Sequence, residues 1–401
     1  MASFKILHQS SRQWRLVDNV EDVGRYLNNR NSPKKRYLLS EHDAFSEGET
    51  FPVELSQYFN TPSYIFSNVY RNSNGFFFFQ EMVDDRGALK TLYTQSRFLV
   101  KQINRCSVSG YQWSEMTFFS YWTSEHSTIL CMGVPSSFSG SLTSILSKLP
   151  ENNIASSAYA AYVPLIETLV TMHDGSIWDF RDEIRSIEKA RSPSDYNTSP
   201  FTAMHDTARH AIHSVETLSV SVKTLEAISA HISALSLADH QHHSYHQALQ
   251  ARRRVQTHIA SQTLMLKNLL LRSQSNEKRL QNEISLSYNM IALRDSGIMT
   301  RISESAKLDS SDMRAIALVT MAFLPPTFIS AVFSTSFFHY EPSNSNGVDD
   351  STQWTVSGHF WVYWAFAIPL TLLTMGLWLF WERARNRVWN KGKELRGVWR
   401  N

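Results

Sequence analysis

A chain of 401 residues, 42% hydrophobic and 19% charged, has the composition of an ordinary folded protein with room for two or three domains. Its net charge of +3 supports no argument about partners, and the positions of the charges say more. Two cysteines, Cys106 and Cys131, exclude a disulfide framework and an all-cysteine tetrahedral metal site, so a reducing compartment suits residues 1–312.

The N-terminus lacks the long apolar run of a secretory signal. Lys5, Arg12 and Arg15 precede the first acid, Asp18, a bias that suits a mitochondrial presequence but arises more readily by chance. Residues 1–200 read as a cytosolic α/β domain. Short β-prone runs at 36–39, 63–66, 76–80, 98–103, 117–122 and 127–132 are separated by turn formers at 72–75 and 84–87. Helices are expected at 143–149 and, starting from Pro164, at 164–190. The run Phe76, Phe77, Phe78, Phe79 is expected to be a buried central strand rather than a binding element.

A polar, Pro-containing break covers 192–200. Beyond it no proline occurs until Pro325, and the only glycine is Gly297, which predicts a very long helix or helical pair over 201–312. Apolar residues recur at sevens (Ile259, Leu266 and Leu280 with Ser273 interrupting; Ile284, Ile291, Ile298), but polar residues break the repeat. A stalk helix running straight into a membrane span fits better than a coiled coil.

On this helix Asp239, His242, His243 and His246 fall at i, i+3, i+4 and i+7, a spacing that can hold a transition metal or form a polar, solvated turn. His205, His210 and His213 are a weaker version. Glu277, Glu283, Asp295, Asp309 and Asp312 are candidates for metal sensing, against a plain solvated face. The basic run Arg252, Arg253, Arg254 suits a solvated or ion-pairing surface, not nucleic acid. There is no G-x-x-x-x-G-K-[ST], G-x-G-x-x-G or H-E-x-x-H, and His126 and Cys131 are ordinary neighbours; neither an enzyme nor a cofactor is expected.

Segments 315–338 and 360–381 carry no charged side chain, and each exceeds the roughly 20 residues needed to cross about 30 Å of hydrocarbon. Aromatic residues crowd their ends, including Tyr340, Trp361, Tyr363, Trp378 and Trp381. The tail 382–401 holds Arg383, Arg385, Arg387, Lys391, Lys393, Arg396 and Arg400, whereas the loop 339–359 has no Lys or Arg and carries Glu341, Asp349 and Asp350. The positive-inside rule then places both termini in the cytosol and the loop outside, most naturally at the plasma membrane; in a mitochondrial inner membrane the cytosol becomes the matrix. Within the first span (313–338), Met313, Thr320, Thr327 and Ser334 recur at sevens, flanked by Ile316 and Leu324. Uncharged hydroxyls and a thioether on one stripe suit a narrow path for a hydrated cation, and suit helix packing equally. Two spans cannot enclose a path, so a pore requires a ring of subunits.

The run DMRAIALVTMAFLPPTFISAVFSTSFFHYEP resembles the first transmembrane helix of the CorA superfamily of divalent-cation transporters. The stretch YNMIALRDSGIMTRISESAKLDSSDM is similar to the end of that family's stalk. The soluble segments VKQINRCSVSGYQWSEMTFFSYWTSEHSTILCMGVPSS and GFFFFQE resemble its fungal branch, with the bacterial zinc-transporting branch as a cousin. The resemblance implies a homopentameric funnel in the lipid bilayer, lined by stalk and first span, with Met313, Ile316, Leu324 and Thr327 facing the pore. It implies transport of magnesium, with zinc or cobalt behind. The family's Gly-Met-Asn, at the outer end of this helix, is replaced by Ser334, Thr335, Ser336. An Asn amide offers a carbonyl that reaches the waters around an ion, and a serine hydroxyl is shorter with different geometry. The alternative expectation is therefore a transport-inactive relative with a scaffold or regulatory role.

Overall fold

The computed structural model describes residues 4–10, 13–20, 23–28, 35–45, 51–85, 87–104, 110–148, 157–189, 199–235, 242–334, 338–339, 355–356, 358 and 360–397. The chain divides into two compact units, Met1–Met290 and Ile291–Asn401. It is an α/β domain followed by long helices, the last of them C-terminal.

In the first unit the elements run β1 (Phe4–Ser10), β2 (Gln13–Val20), α1 (Val23–Asn28), β3 (Lys35–Leu39), α2 (Val53–Tyr58), a 3-10 turn (Ser63–Phe66), α3 (Asn68–Arg71), β4 (Gly75–Val83), β5 (Leu89–Ile103), β6 (Tyr111–Thr123), β7 (Ser127–Met132), α4 (Phe138–Lys148), α5 (Tyr162–Lys189) and α6 (Ser199–Ala234). The seven strands form one sheet in the order β2-β1-β3-β7-β6-β5-β4, antiparallel except for the β3–β7 pair. Period-two alternation sorts side chains to two covered faces. Tyr37, Leu39, Ile129, Cys131 and Phe118 join the core under α4, α5 and α6. Leu38, Leu130, Met132 and Phe119 join the opposite core under α1 and α2. The β4–β5 turn is closed by Asp84, whose Oδ1 accepts the Ala88 N–H at 2.8 Å, and by Gly87 at φ 78°.

Three expectations are corrected. Residues 63–66 form the 3-10 turn, not a strand: Pro62, at φ −65°, precedes it, and Ile65 is buried in the core on the α1–α2 side. The phenylalanine run is the edge strand β4, not a central one, and Phe79 is 44% exposed. Its apolar run persists because both sheet faces are covered, Phe77 packing on one core and Phe76 and Phe78 on the other. Helix α4 begins at Phe138, five residues before the expected start at 143.

Arg97 on β5 is 1% exposed and forks between Asp43 (3.3 Å) and Glu115, donates to Thr117 Oγ1 at 3.1 Å, and lies 4.7 Å from the Phe45 ring centroid. Arg97→Ala removes the shared cation of two carboxylates and is expected to cost about 3 kcal/mol. Arg97→Lys recovers only part, because an ammonium cannot fork. Thermal unfolding of both variants checks this, and an alanine variant as stable as the parent overturns it.

Helix α7 (His242–Phe333) is one continuous helix, and the boundary between the units falls within it. In the first unit Ile259, Leu266, Ser273 and Leu280 are buried, so the interrupted heptad packs on the α/β core. The end of α6 is capped from α7, where Arg252 donates to the carbonyls of Leu235 (2.6 Å) and Ser233. Arg279 clasps Glu188 of α5 with two hydrogen bonds, 2.9 and 2.6 Å.

The second unit holds the rest of α7, a short antiparallel pair β8 (Phe338–His339) and β9 (Thr355–Val356), and α8 (Trp361–Gly397). Among the described residues two helices are long and apolar enough to cross a membrane, within Ala248–Val332 and Trp361–Ala384. Their apolar windows are almost wholly exposed within the unit, unlike a soluble core helix.

Candidate functional site

Within the second unit the apolar end of α7 has two contrasting faces. Pro325 and Ile329 are buried, as is Ala367 on α8, and Tyr363 of α8 donates its hydroxyl to the Pro326 carbonyl at 3.3 Å. A groove of about 470 Å³ lined by Phe328, Ile329, Val332, Ala365, Phe366, Pro369, Leu370 and Leu373 continues this side. Arg314 of α7 lies 3.8 Å from Glu382 of α8.

At 3.6 residues per turn, the face opposite Pro325 and Ile329 carries Met313, Ile316, Thr320, Leu324, Thr327 and Ser334, and all six are exposed. Their hydroxyls are turned onto their own helix: Thr320 donates to the Ile316 carbonyl at 2.8 Å, Thr327 to those of Phe323 and Leu324 (3.0 Å), and Ser334 to that of Ala331 at 3.3 Å. With the proton committed, each oxygen presents lone pairs outward, as an acceptor. The sequence Pro325, Pro326 supplies no N–H to the ladder, which deprives the carbonyls of Met321 and Ala322 of their ordinary donors.

Thr335, Ser336, Glu341, Asp349 and Asp350 lie outside the described residues, as do Asp239 and the side chains of His242, His243 and His246. Asp295, Asp309 and Asp312 are exposed, and Glu277 accepts from Gln281 at 3.3 Å. Among the described residues no three His, Cys, Asp or Glu side chains gather closely enough to hold a metal ion.

Two polar groupings in the first unit were not apparent from sequence, because distant segments build them. His231 of α6 bonds Glu81 of β4 through Nε2 at 2.6 Å and the Tyr159 hydroxyl through Nδ1. Burial lowers its pKa and the Glu81 carboxylate partly offsets this. Lys101 of β5 meets His213 of α6, Nζ to Nδ1 3.2 Å.

His173 on α5 is buried beside Ser221 (3.3 Å), and burial pushes its pKa down to about 3. Its native form is neutral, so the unfolded chain binds the extra proton first. The stability this contributes is complete above pH 6.5 and drains away as pH falls towards about 3. His173→Gln is expected to flatten the acid limb of the unfolding midpoint against pH. An unchanged slope assigns the acid sensitivity to other groups.

No family model matches the chain. It is 28% identical over 298 residues to Notoamide biosynthesis cluster protein M' of Aspergillus versicolor, a match covering 70% of this chain and 62% of that relative's length. Among solved structures, the CorA magnesium transporter of Methanocaldococcus jannaschii superposes with a TM-score of 0.44 at 9% identity, over 93% of this chain and 96% of that one. The full-length CmaX protein gives 0.44 at 12% identity, over 96% and 98%. At that level of superposition, the fold rests on this chain's own strands and helices.

Proposed function

We propose that this chain is an integral membrane protein that assembles as a homopentamer and conducts divalent cations, magnesium first, with zinc and cobalt behind. Both termini lie in the cytosol, at the plasma membrane, and the loop holding Glu341, Asp349 and Asp350 faces outward to concentrate cations. The activity is transport, without covalent chemistry or a resident cofactor. One observation carries the reading: the stripe Met313, Ile316, Thr320, Leu324, Thr327 stands exposed on the α7 face turned away from Pro325 and Ile329. Uncharged acceptor oxygens between apolar side chains suit an ion that keeps its water, as magnesium does. The resemblance of residues 286–340 to the end of the CorA stalk and its first span supports the same assignment.

A second reading is a transport-inactive scaffold or regulatory subunit. It is favoured by Ser334, Thr335, Ser336 where the family has Gly-Met-Asn, and by the Ser334 hydroxyl turning back onto Ala331. Purified protein in liposomes separates the two. Magnesium uptake by reconstituted pentamers supports the channel; well-folded pentamers without flux support the scaffold, and a monomer in mild detergent defeats both.

A further inference from the structure

Lys101 is 4% exposed, yet among the described residues no carboxylate touches its ammonium group. Its Nζ meets His213 Nδ1 at 3.2 Å and lies 4.5 Å from the centroid of Trp113 and 5.7 Å from that of Tyr111. Ser176 of α5 fixes the strand by donating to the Lys101 carbonyl. A buried amine beside an imidazole is a nucleophile next to a base, the arrangement by which a lysine becomes reactive. Burial, and then the nearby Arg209 charge, push its pKa down to about 8, so about a tenth of the amine is neutral at pH 7.

The surroundings narrow what can react. The amine sits behind two aromatic rings, which favours a small, uncharged electrophile. The neighbouring groups on α6 are basic: Arg209, His213 and His210, the last with Nδ1 buried and without a hydrogen-bond partner. Asp206, paired with Arg209 at 3.0 Å, and Glu183 of α5, facing Tyr111, are the acids nearby. Burial disfavours the ammonium, His210 is neutral with its pKa lowered to about 4, and the Arg209 guanidinium supplies positive charge for an anionic product.

We propose that Lys101 captures carbon dioxide as a carbamate, with His213 as the base. After the ammonium yields a proton to water, the Nζ lone pair forms the N–C bond and one C=O pair moves onto oxygen. The nitrogen then sheds its second proton to His213 Nδ1, which passes it to water, and the carbamate anion rests among Arg209, His210 and His213. No redox partner is needed. The inference stands independently of ion conduction.

Full-length protein in detergent is equilibrated with isotope-labelled carbon dioxide, trapped with triethyloxonium, and mapped by peptide mass spectrometry. The ethyl-carbamate adduct is expected at Lys101 above its level at the exposed Lys90 and Lys223, rising with pH. Lys101→Arg should lose it, and His213→Phe should lose most of it at neutral pH and recover it in alkali. The parent protein alone suffices if a variant misfolds. An adduct at Lys101 no greater than at Lys90 and Lys223 means the aromatic rings simply hold an ammonium, and overturns the proposal. So does an adduct unchanged in a folded His213→Phe.

Discussion

Thr327→Trp is expected to abolish magnesium flux in liposomes. The side chain sits one turn outward of Phe323 on the exposed stripe of α7, and its hydroxyl proton is bound to its own helix. In a ring of identical subunits one substitution appears in every copy, so a pentamer gains five indoles at one level of the path. A hydrated divalent ion cannot shed its shell to slip past, because the replacement offers it no oxygen. Flux should fall to that of protein-free liposomes. Leu379→Trp, on an exposed position of α8, serves as the control and should leave flux intact. Residual conduction through Thr327→Trp, with pentamers intact, would show that the ion does not follow this stripe. Thr320→Trp then discriminates between a shifted path and none.

How much of this was readable beforehand depends on whether the deciding contacts are local. The two candidate spans were legible because a membrane demands a long charge-free run, and helices α7 and α8 each carry one long and apolar enough to cross. The stripe was legible because helical spacing fixes which residues share a face, and Met313, Thr320 and Thr327 do share the exposed one. The packing of α6 on the sheet was not. Thr217, Ser221 and Thr224 are buried there, which dilutes the apolar period; Thr217 and Thr224 satisfy their hydroxyls on the carbonyls of Ser214 and Val220. In residues 63–66 Tyr, Ile and Phe favour a strand, while Pro62 and the burial of Ile65 decide for the 3-10 turn. Lys101 and His213 are 112 positions apart, and only the β5–α6 contact joins them. In the proposed pentamer, what faces the stripe depends on other copies of the chain, which no spacing within one copy encodes.

The replacement of Gly-Met-Asn is where the two functional readings part most sharply, and restoring it is the more demanding test. Ser334→Gly, Thr335→Met and Ser336→Asn together place a ring of carboxamides at the outer end of the first span. Each carboxamide extends farther than a serine hydroxyl and keeps its carbonyl free for water. A net hydrogen bond is worth about 1 kcal/mol, so two made by a hydrated ion at the ring amount to roughly 2 kcal/mol, more than tenfold in occupancy of the entrance. If the parent conducts, the triple variant should conduct magnesium about tenfold better at low concentration and gain less at saturation. If the parent is silent and the variant conducts, the rest of the path is intact and only the filter has been lost. If both are silent as folded pentamers, the obstruction lies deeper, and the chain serves as a membrane-held scaffold. The stripe then packs against neighbouring helices, where threonine and serine are equally at home.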